Sequence, residues 1–233
     1  MDFIVVAYYS KNTVYEQEVK RLITSLRKFE IPYHITPVNA FNSWYEGVQY
    51  KPRFLKDMLQ QFNPHSIVYV DADAEFLQYP NLFHILDARP EVNVAAHILD
   101  HAKRGHPNRK EELLSGTLYF KNNNTVYTII DEWIKMCTNA GQLWDQVALW
   151  SILRKYPFHV LPDEYCTIFD YMSDVENPVI RHYQASRAAR NSVVNKGPLP
   201  TYETTPGEPQ PIPLSRPRKI MKGGIVRYHR KWR

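Results

Sequence analysis

Two aspartates, Asp71 and Asp73, directly follow the apolar run Ile67-Val68-Tyr69-Val70. Side chains at i and i+2 of an extended chain share a face, so both carboxylates can reach one cation. Hard carboxylate oxygens suit Mg2+ or Mn2+, and such a cation suits a diphosphate whose charge needs neutralising. In open α/β sheets, ligands collect at the carboxyl ends of the strands, where an acidic pair after a buried strand must lie. Asp-x-Asp is nevertheless a common tripeptide, and Asp73 read by itself equally caps a turn. The weight therefore falls on the elements around the pair.

Those elements alternate. Phe3–Tyr9 is a nearly continuous apolar run, the pattern of a strand buried on both faces. Thr13-Val-Tyr-Glu16 has the form of a capping box, and Val19, Leu22, Ile23 and Leu26 follow at helical spacing. Pro32 and Pro37 bracket a second strand over 33–36, and Pro52 fits the first turn of a helix faced by Phe54, Leu55, Met58, Leu59 and Phe62. With 67–70 as the third strand, the pattern predicts an α/β fold whose early strands are parallel and joined by right-handed crossovers. Strands over 92–96, 117–120, 158–161 and 179–183 follow, with a helix capped by Asn124 and another over 144–156. Seven prolines between 197 and 217 break the pattern. The expected organisation is a domain over 1–196 and a Pro-rich connector with a basic arm over 197–233.

The net charge of +5 is unevenly placed: residues 216–233 carry eight basic side chains and no acid, leaving a net of −3 on residues 1–215. Such an arm favours a polyanionic partner. No apolar run approaches the roughly 18–20 residues of a membrane span, and the N-terminus lacks the form of a secretory signal. Cys137 and Cys166 have no metal-type spacing, which excludes disulfide scaffolds and zinc ribbons and fits a reducing, cytoplasmic location.

The strand, the Asp71-Ala72-Asp73 motif and the alternating half before it resemble the GT-A fold of nucleotide-sugar glycosyltransferases, a mixed, mainly parallel sheet flanked by helices. Other segments agree in order and spacing: Lys51-Pro52-x-Phe54, Leu114-Ser115-Gly116-Thr117 leading into a strand, Trp144-Asp145-Gln146 opening a helix, and Val179-Ile-Arg-His182-Tyr-Gln-Ala-Ser186-Arg187. The resemblance spans roughly residues 3–187 and implies a hexosyl- or pentosyltransferase using a nucleoside-diphosphate sugar, UDP-linked for preference. It implies Mn2+ or Mg2+ held by Asp71, Asp73 and His182 as Lewis acid on the departing diphosphate, with Lys51 and Arg187 adding positive charge there. Asp145, with Gln146 beside it, falls at the reacting sugar, as base in an inverting enzyme or stabiliser in a retaining one. Ser115, Gly116 and Thr117 offer backbone and hydroxyl groups to the sugar or acceptor, and Ala72 lies within the donor segment. Tyr8 or Tyr9, at the end of the first strand, can stack on the nucleobase, although both read equally as packing residues.

Haloacid-dehalogenase phosphatases also place Asp-x-Asp after a strand, but after the first one, and with Thr or Val where Glu75 stands here. A non-enzymatic nucleic-acid-binding module explains the arm and leaves the strand-end acids unexplained, since acids repel phosphate. The arm points the acceptor toward DNA carrying a hydroxymethylated base, of the kind modified by bacteriophage glycosyltransferases. Arg216, Arg218, Lys219, Lys222, Arg227, Arg230 and Trp232 would then meet that acceptor. The competing expectations are a saccharide or lipopolysaccharide acceptor, and an arm that folds back on the donor diphosphate.

Overall fold

The computed structural model describes residues 3–41, 44–139 and 144–185. Strands β1 (Phe3–Ser10), β2 (Tyr33–Val38) and β3 (Ser66–Val70) alternate with helices α1 (Tyr15–Lys28) and α2 (Trp44–Gln61). After β3 come β4 (Ala74–Phe76), α3 (Asn81–Asp87), β5 (Val94–Leu99), β6 (Glu112–Phe120), α4 (Asn124–Asn139) and α5 (Asp145–Leu153). The short strands β7 (His159–Leu161), β8 (Thr167–Ile168) and β9 (Ile180–His182) complete the described chain.

Six strands form one sheet in the order β2-β1-β3-β6-β5-β7. β1 is parallel to β2 and β3, and β5 is parallel to β7, while β6 runs antiparallel to both neighbours. This is the mixed, mainly parallel α/β sheet expected from the sequence. Alternating residues of the central strands feed two cores. Ile4, Val6, Ile67, Tyr69, Leu118 and Phe120 pack with α2, α4 and α5 on one face. Phe3, Val5, Ala7, Val68, Val70 and Tyr119 pack with α1 and α3 on the other. The chain moves one way along the sheet from β1 to β2 and back past β1 to β3, so α1 and α2 fall on opposite faces, as right-handed crossovers require. The strand order therefore reverses between β1 and β3, and a crevice opens there.

Several local expectations are corrected. Helix α1 starts at Tyr15 with Val14 at the N-cap position. No reciprocal box forms: the Thr13 hydroxyl accepts from the Tyr15 N–H at 3.3 Å and donates to the Ser10 carbonyl at 2.7 Å. Pro37 lies inside β2 opposite Tyr9, which is tolerated because β2 is an edge strand. Pro52 lies inside α2, not in its first turn, so one helical hydrogen bond is missing there. The cap of α4 is Asn123, one residue earlier than expected, with its Oδ1 accepting the Val126 N–H at 3.0 Å. Strand β6 begins at Glu112, not at Thr117.

Two features of pairing build the site. Between Ala96 and His97 the β5 partner jumps from Leu118 to Leu114, so Ser115, Gly116 and Thr117 bulge out of the β5 ladder. β4 leaves the main sheet and pairs with β9, in a register that sets Ala74 opposite His182. With β8, these form a second sheet of three strands that the sequence pattern does not predict.

Candidate active site

The carboxyl ends of β1 and β3, the bulged start of β6 and the first turn of α5 surround a cavity of about 750 Å3, within the range of small-molecule sites. Among the described residues, every one singled out above for donor, metal or catalytic work lines it except Thr117. Arg187, Arg216, Arg218, Lys219, Lys222, Arg227, Arg230 and Trp232 lie outside the described residues.

Asp71, Asp73 and His182 each place a ligand atom within 4.8 Å of the others. The β3 ladder ends in an Asp71 N–H bonded to the Gly116 carbonyl at 2.9 Å, and the chain turns sharply through an Ala74 N–H to Asp71 carbonyl bond. Asp71 Oδ1 accepts the Tyr69 hydroxyl at 2.8 Å and lies 3.2 Å from Lys51 Nζ. Asp73 is buried. Its Oδ2 accepts the Ala185 N–H at 2.8 Å, while its Oδ1 has no hydrogen-bond partner and lies 3.6 Å from His182 Nδ1. Thr117 and His182 Nε2 are hydrogen-bonded at 2.8 Å, which turns Nδ1 toward the two aspartates. The Thr117 hydroxyl thus positions the imidazole and does not face a sugar, correcting its expected role.

Burial alone would lower the His182 pKa. Cys166 and the Asp73 carboxylate outweigh it and hold it up at about 10, so the metal-free ring is protonated at neutral pH, and a cation taking Nδ1 displaces that proton. Burial likewise opposes ionisation of Asp73, but His182, the Ala185 N–H and Lys51 together hold its carboxyl below the usual range.

These residues fit a divalent cation on two observations. The buried Asp73 Oδ1 accepts no hydrogen bond and has only the longer 3.6 Å ion-pair contact with His182 Nδ1, so it keeps lone pairs for a cation. Gly116 also keeps the space between the ligands clear: a Cβ there would lie 3.1 Å from His182 Cε1 and 3.3 Å from Asp71 Oδ2. Gly116→Ala is therefore expected to weaken Mn2+ binding at least about tenfold in a calorimetric titration, the scale of second-shell changes at metal sites. The melting temperature of the chelated protein should fall only modestly, since the His182 ring and Asp71 must give by a few tenths of an ångström. Unaltered Mn2+ affinity would mean that the cation does not sit between these groups.

Lys51, at the middle of α2, is buried and joins the cation site to Asp145. Its Nζ lies 2.9 Å from Asp145 Oδ2, 3.0 Å from Ser115 Oγ and 3.2 Å from the Ser115 carbonyl. Burial opposes its charge, but Asp145 and Asp71 outweigh that and raise its pKa above the ordinary lysine value. Asp145 Oδ2 also accepts the Ser115 hydroxyl at 2.8 Å, and Trp133 of α4 pins the Asp145 carbonyl through its indole N–H at 3.0 Å. Tyr8 packs edge-on against Tyr50 and Phe54 and donates its hydroxyl to the Gly47 carbonyl at 2.8 Å, so the side chain is fixed from both ends.

The sequence reading missed the far wall of the cavity. His101, Glu112 and Tyr171 line it and are linked: Tyr171 Oη lies 2.8 Å from His101 Nδ1, and His101 Nε2 lies 3.1 Å from Glu112 Oε2. Gln146 Nε2 donates to Glu112 Oε1 at 2.5 Å. The available signal was positional, since His101 and Glu112 flank the β5–β6 connection near strand ends.

In a doubly wound α/β sheet, ligands bind at the switch point, and here that crevice is lined by carboxylates. The chain belongs to the nucleotide-diphospho-sugar transferase family, whose sequence profile matches residues 42–187, and its reaction class is glycosyl transfer. A solved glycosyltransferase involved in the glycosylation of the major capsid of PBCV-1 is similar in fold, with a TM-score of 0.64. It is 12% identical, over 84% of this chain and 100% of that one. The glycosyltransferase GlyE of Streptococcus pneumoniae TIGR4 is similar with a TM-score of 0.52 at 16% identity, over 78% of this chain and 54% of that one. No curated protein matches the sequence. Among the described residues, no helix is long and apolar enough to cross a membrane.

Proposed function

We propose that the protein transfers a hexose or pentose from a nucleoside-diphosphate sugar, UDP-linked for preference, to an acceptor hydroxyl, using Mn2+ or Mg2+ held by Asp71, Asp73 and His182. The observation that carries this reading is the buried Asp73 oxygen without a hydrogen-bond partner, 3.6 Å from His182 Nδ1, with Gly116 keeping clear the space beside His182 and Asp71. When bound, the cation supplies Lewis-acid stabilisation of the departing diphosphate. Tyr69 and Lys51 orient Asp71, and the Ala185 N–H orients Asp73, so the ligands are held before a substrate arrives. Tyr8, Tyr9 and Phe41 form the aromatic end of the cavity and receive the nucleobase. Asp145 has two donors already fixed on one oxygen. That is an arrangement for a stationary negative charge beside an oxocarbenium-like centre, the stabilising role and not that of a swinging base.

For the acceptor, the eight basic residues of 216–233 support a polyanion, and DNA carrying a hydroxymethylated base is the specific form of that reading. The reaction is tested by melting the protein with Mn2+ and a panel of nucleoside-diphosphate sugars. Ligand at about a hundred times its dissociation constant adds about 2.7 kcal/mol, so the matching donor should raise Tm by several degrees. A panel without any Mn2+-dependent shift defeats the proposal.

A further inference from the structure

We propose that Glu112 reads the transferred sugar: its carboxylate, aimed into the cavity by His101 and Gln146, accepts hydrogen bonds from sugar hydroxyls and restricts the donor to a neutral sugar. The inference rests on reading the cavity as a nucleoside-diphosphate-sugar site.

The linear order of such a donor is base, ribose, diphosphate, sugar. With the diphosphate at the Asp71–Asp73–His182 group, an extended donor sends base and sugar from its two ends to different parts of the cavity. One side is aromatic, with Tyr8, Tyr9 and Phe41 from β1 and the chain after β2. The other carries Gln146, Glu112 and His101 beyond Lys51 and Asp145, set among Leu99, Leu114 and Tyr171, so the hydrogen-bonding acceptors gather on that side. An aromatic wall suits a flat base, and fixed acceptors suit hydroxyls, so the side with the acceptors takes the sugar.

On that side Glu112 is the group built to recognise hydroxyls. Each carboxylate oxygen already accepts one bond, from Gln146 and from His101, and each retains a second lone-pair direction. The side chain is about one-third exposed to the cavity, whereas His101 is almost wholly buried and fixed from behind by Tyr171. His101, held between the Tyr171 hydroxyl at Nδ1 and the carboxylate at Nε2, fixes the orientation of Glu112. Arg109 lines the same cavity 3.8 Å from Glu112, but it is more than half exposed, so solvent screening leaves it only a partial offset to the Glu112 charge. A uronic acid would place a second carboxylate beside Glu112 and be disfavoured by like-charge repulsion.

Calorimetric titration with Mn2+ present compares wild type, Glu112→Gln and Glu112→Asp. The probes are UDP, GDP and dTDP, their glucose conjugates, and UDP-glucuronate. Wild type should bind the glucose conjugate more tightly than the bare diphosphate, and the glucuronate about tenfold more weakly than the glucose conjugate. Glu112→Gln should bind the bare diphosphate as wild type does, with the sugar's advantage reduced about tenfold and discrimination against the uronate lost. Glu112→Asp keeps the charge on a shorter arm, so it should reject the uronate while losing most of the sugar's advantage. It decides the matter by itself if the glutamine variant does not fold. Equal losses for bare and sugar-bearing ligands would show that Glu112 merely fastens β6 to α5, and the proposal would be wrong. It would be equally wrong if wild type accepted the uronate freely or if the sugar's advantage survived both substitutions. If wild type binds none of the diphosphates, the glycosyltransferase reading fails and this one fails with it.

Discussion

Asp73→Asn is expected to abolish the Mn2+-dependent rise in Tm and to lower donor hydrolysis about a thousandfold, the scale of several kcal/mol of lost Lewis-acid stabilisation. Asparagine preserves the volume and can still accept the Ala185 N–H, so the turn after β3 is retained. It also turns an amide toward the position now held by the unpartnered Oδ1, where a cation needs a negative oxygen. The cost to the metal-free fold is modest. Losing the carboxylate leaves His182 without one of the groups that raise its pKa, and burial then favours the neutral ring. We expect a loss of about 1–3 kcal/mol without metal, the price of one charge-assisted contact. The sign with pH follows from the depressed carboxyl pKa. The contribution is present above the ordinary aspartate value and disappears as pH falls through the lower folded value, so the two chelated proteins should converge in acid. A variant that kept its Mn2+ response would place the cation elsewhere.

The expectation behind that experiment was readable from residues 67–73 because three constraints coincide there. A continuous apolar strand, an i, i+2 acidic pair and the third position in a βα alternation all point to a strand end in a ligand crevice. The partners of the pair were less legible. His182 meets Asp73 only because β4 leaves the main sheet to pair with β9, and a three-residue strand such as Ala74–Phe76 has too few residues to show a period. The start of β6 was missed for a related reason. Glu112, Ser115, Gly116 and Thr117 face a cavity or bulge away from β5, so they carry none of the alternating hydrophobicity that marks Leu118–Phe120. Taking Pro52 as a helix start applied a sound preference in the wrong place, because α2 runs on both sides of it, its face Phe54, Leu55, Met58 and Leu59 buried in the core. Local rules thus recovered the core and the acidic pair at its strand end, and lost the pairings that bring distant segments to the cavity.

Lys51→Met should destabilise the fold more than any other single change in the cavity while reducing transfer to a small fraction of wild type. Methionine keeps a side chain of similar length at this buried position but removes the cation that bridges Asp71 and Asp145. Breaking a buried pair by deleting one partner costs about 3–5 kcal/mol, because the remaining charge stays desolvated. In a domain of this size that is roughly a 6–20 °C fall in Tm. The effect should be insensitive to salt, since buried charges are little screened. It should also persist across the working pH range. A raised lysine pKa means that the stabilisation is complete below the ordinary lysine value and is lost only as pH climbs through the higher folded value. The double variant Lys51→Met/Asp145→Asn separates charge from packing. If the penalty is the stranded Asp145 carboxylate, removing that charge restores much of the Tm, because two neutral groups no longer need each other. On the proposed roles of Asp145 and Lys51, transfer stays absent, since both charges have gone. A double variant as unstable as Lys51→Met would assign the loss to packing within α2, and an unchanged Tm in the single variant would refute the buried lock itself.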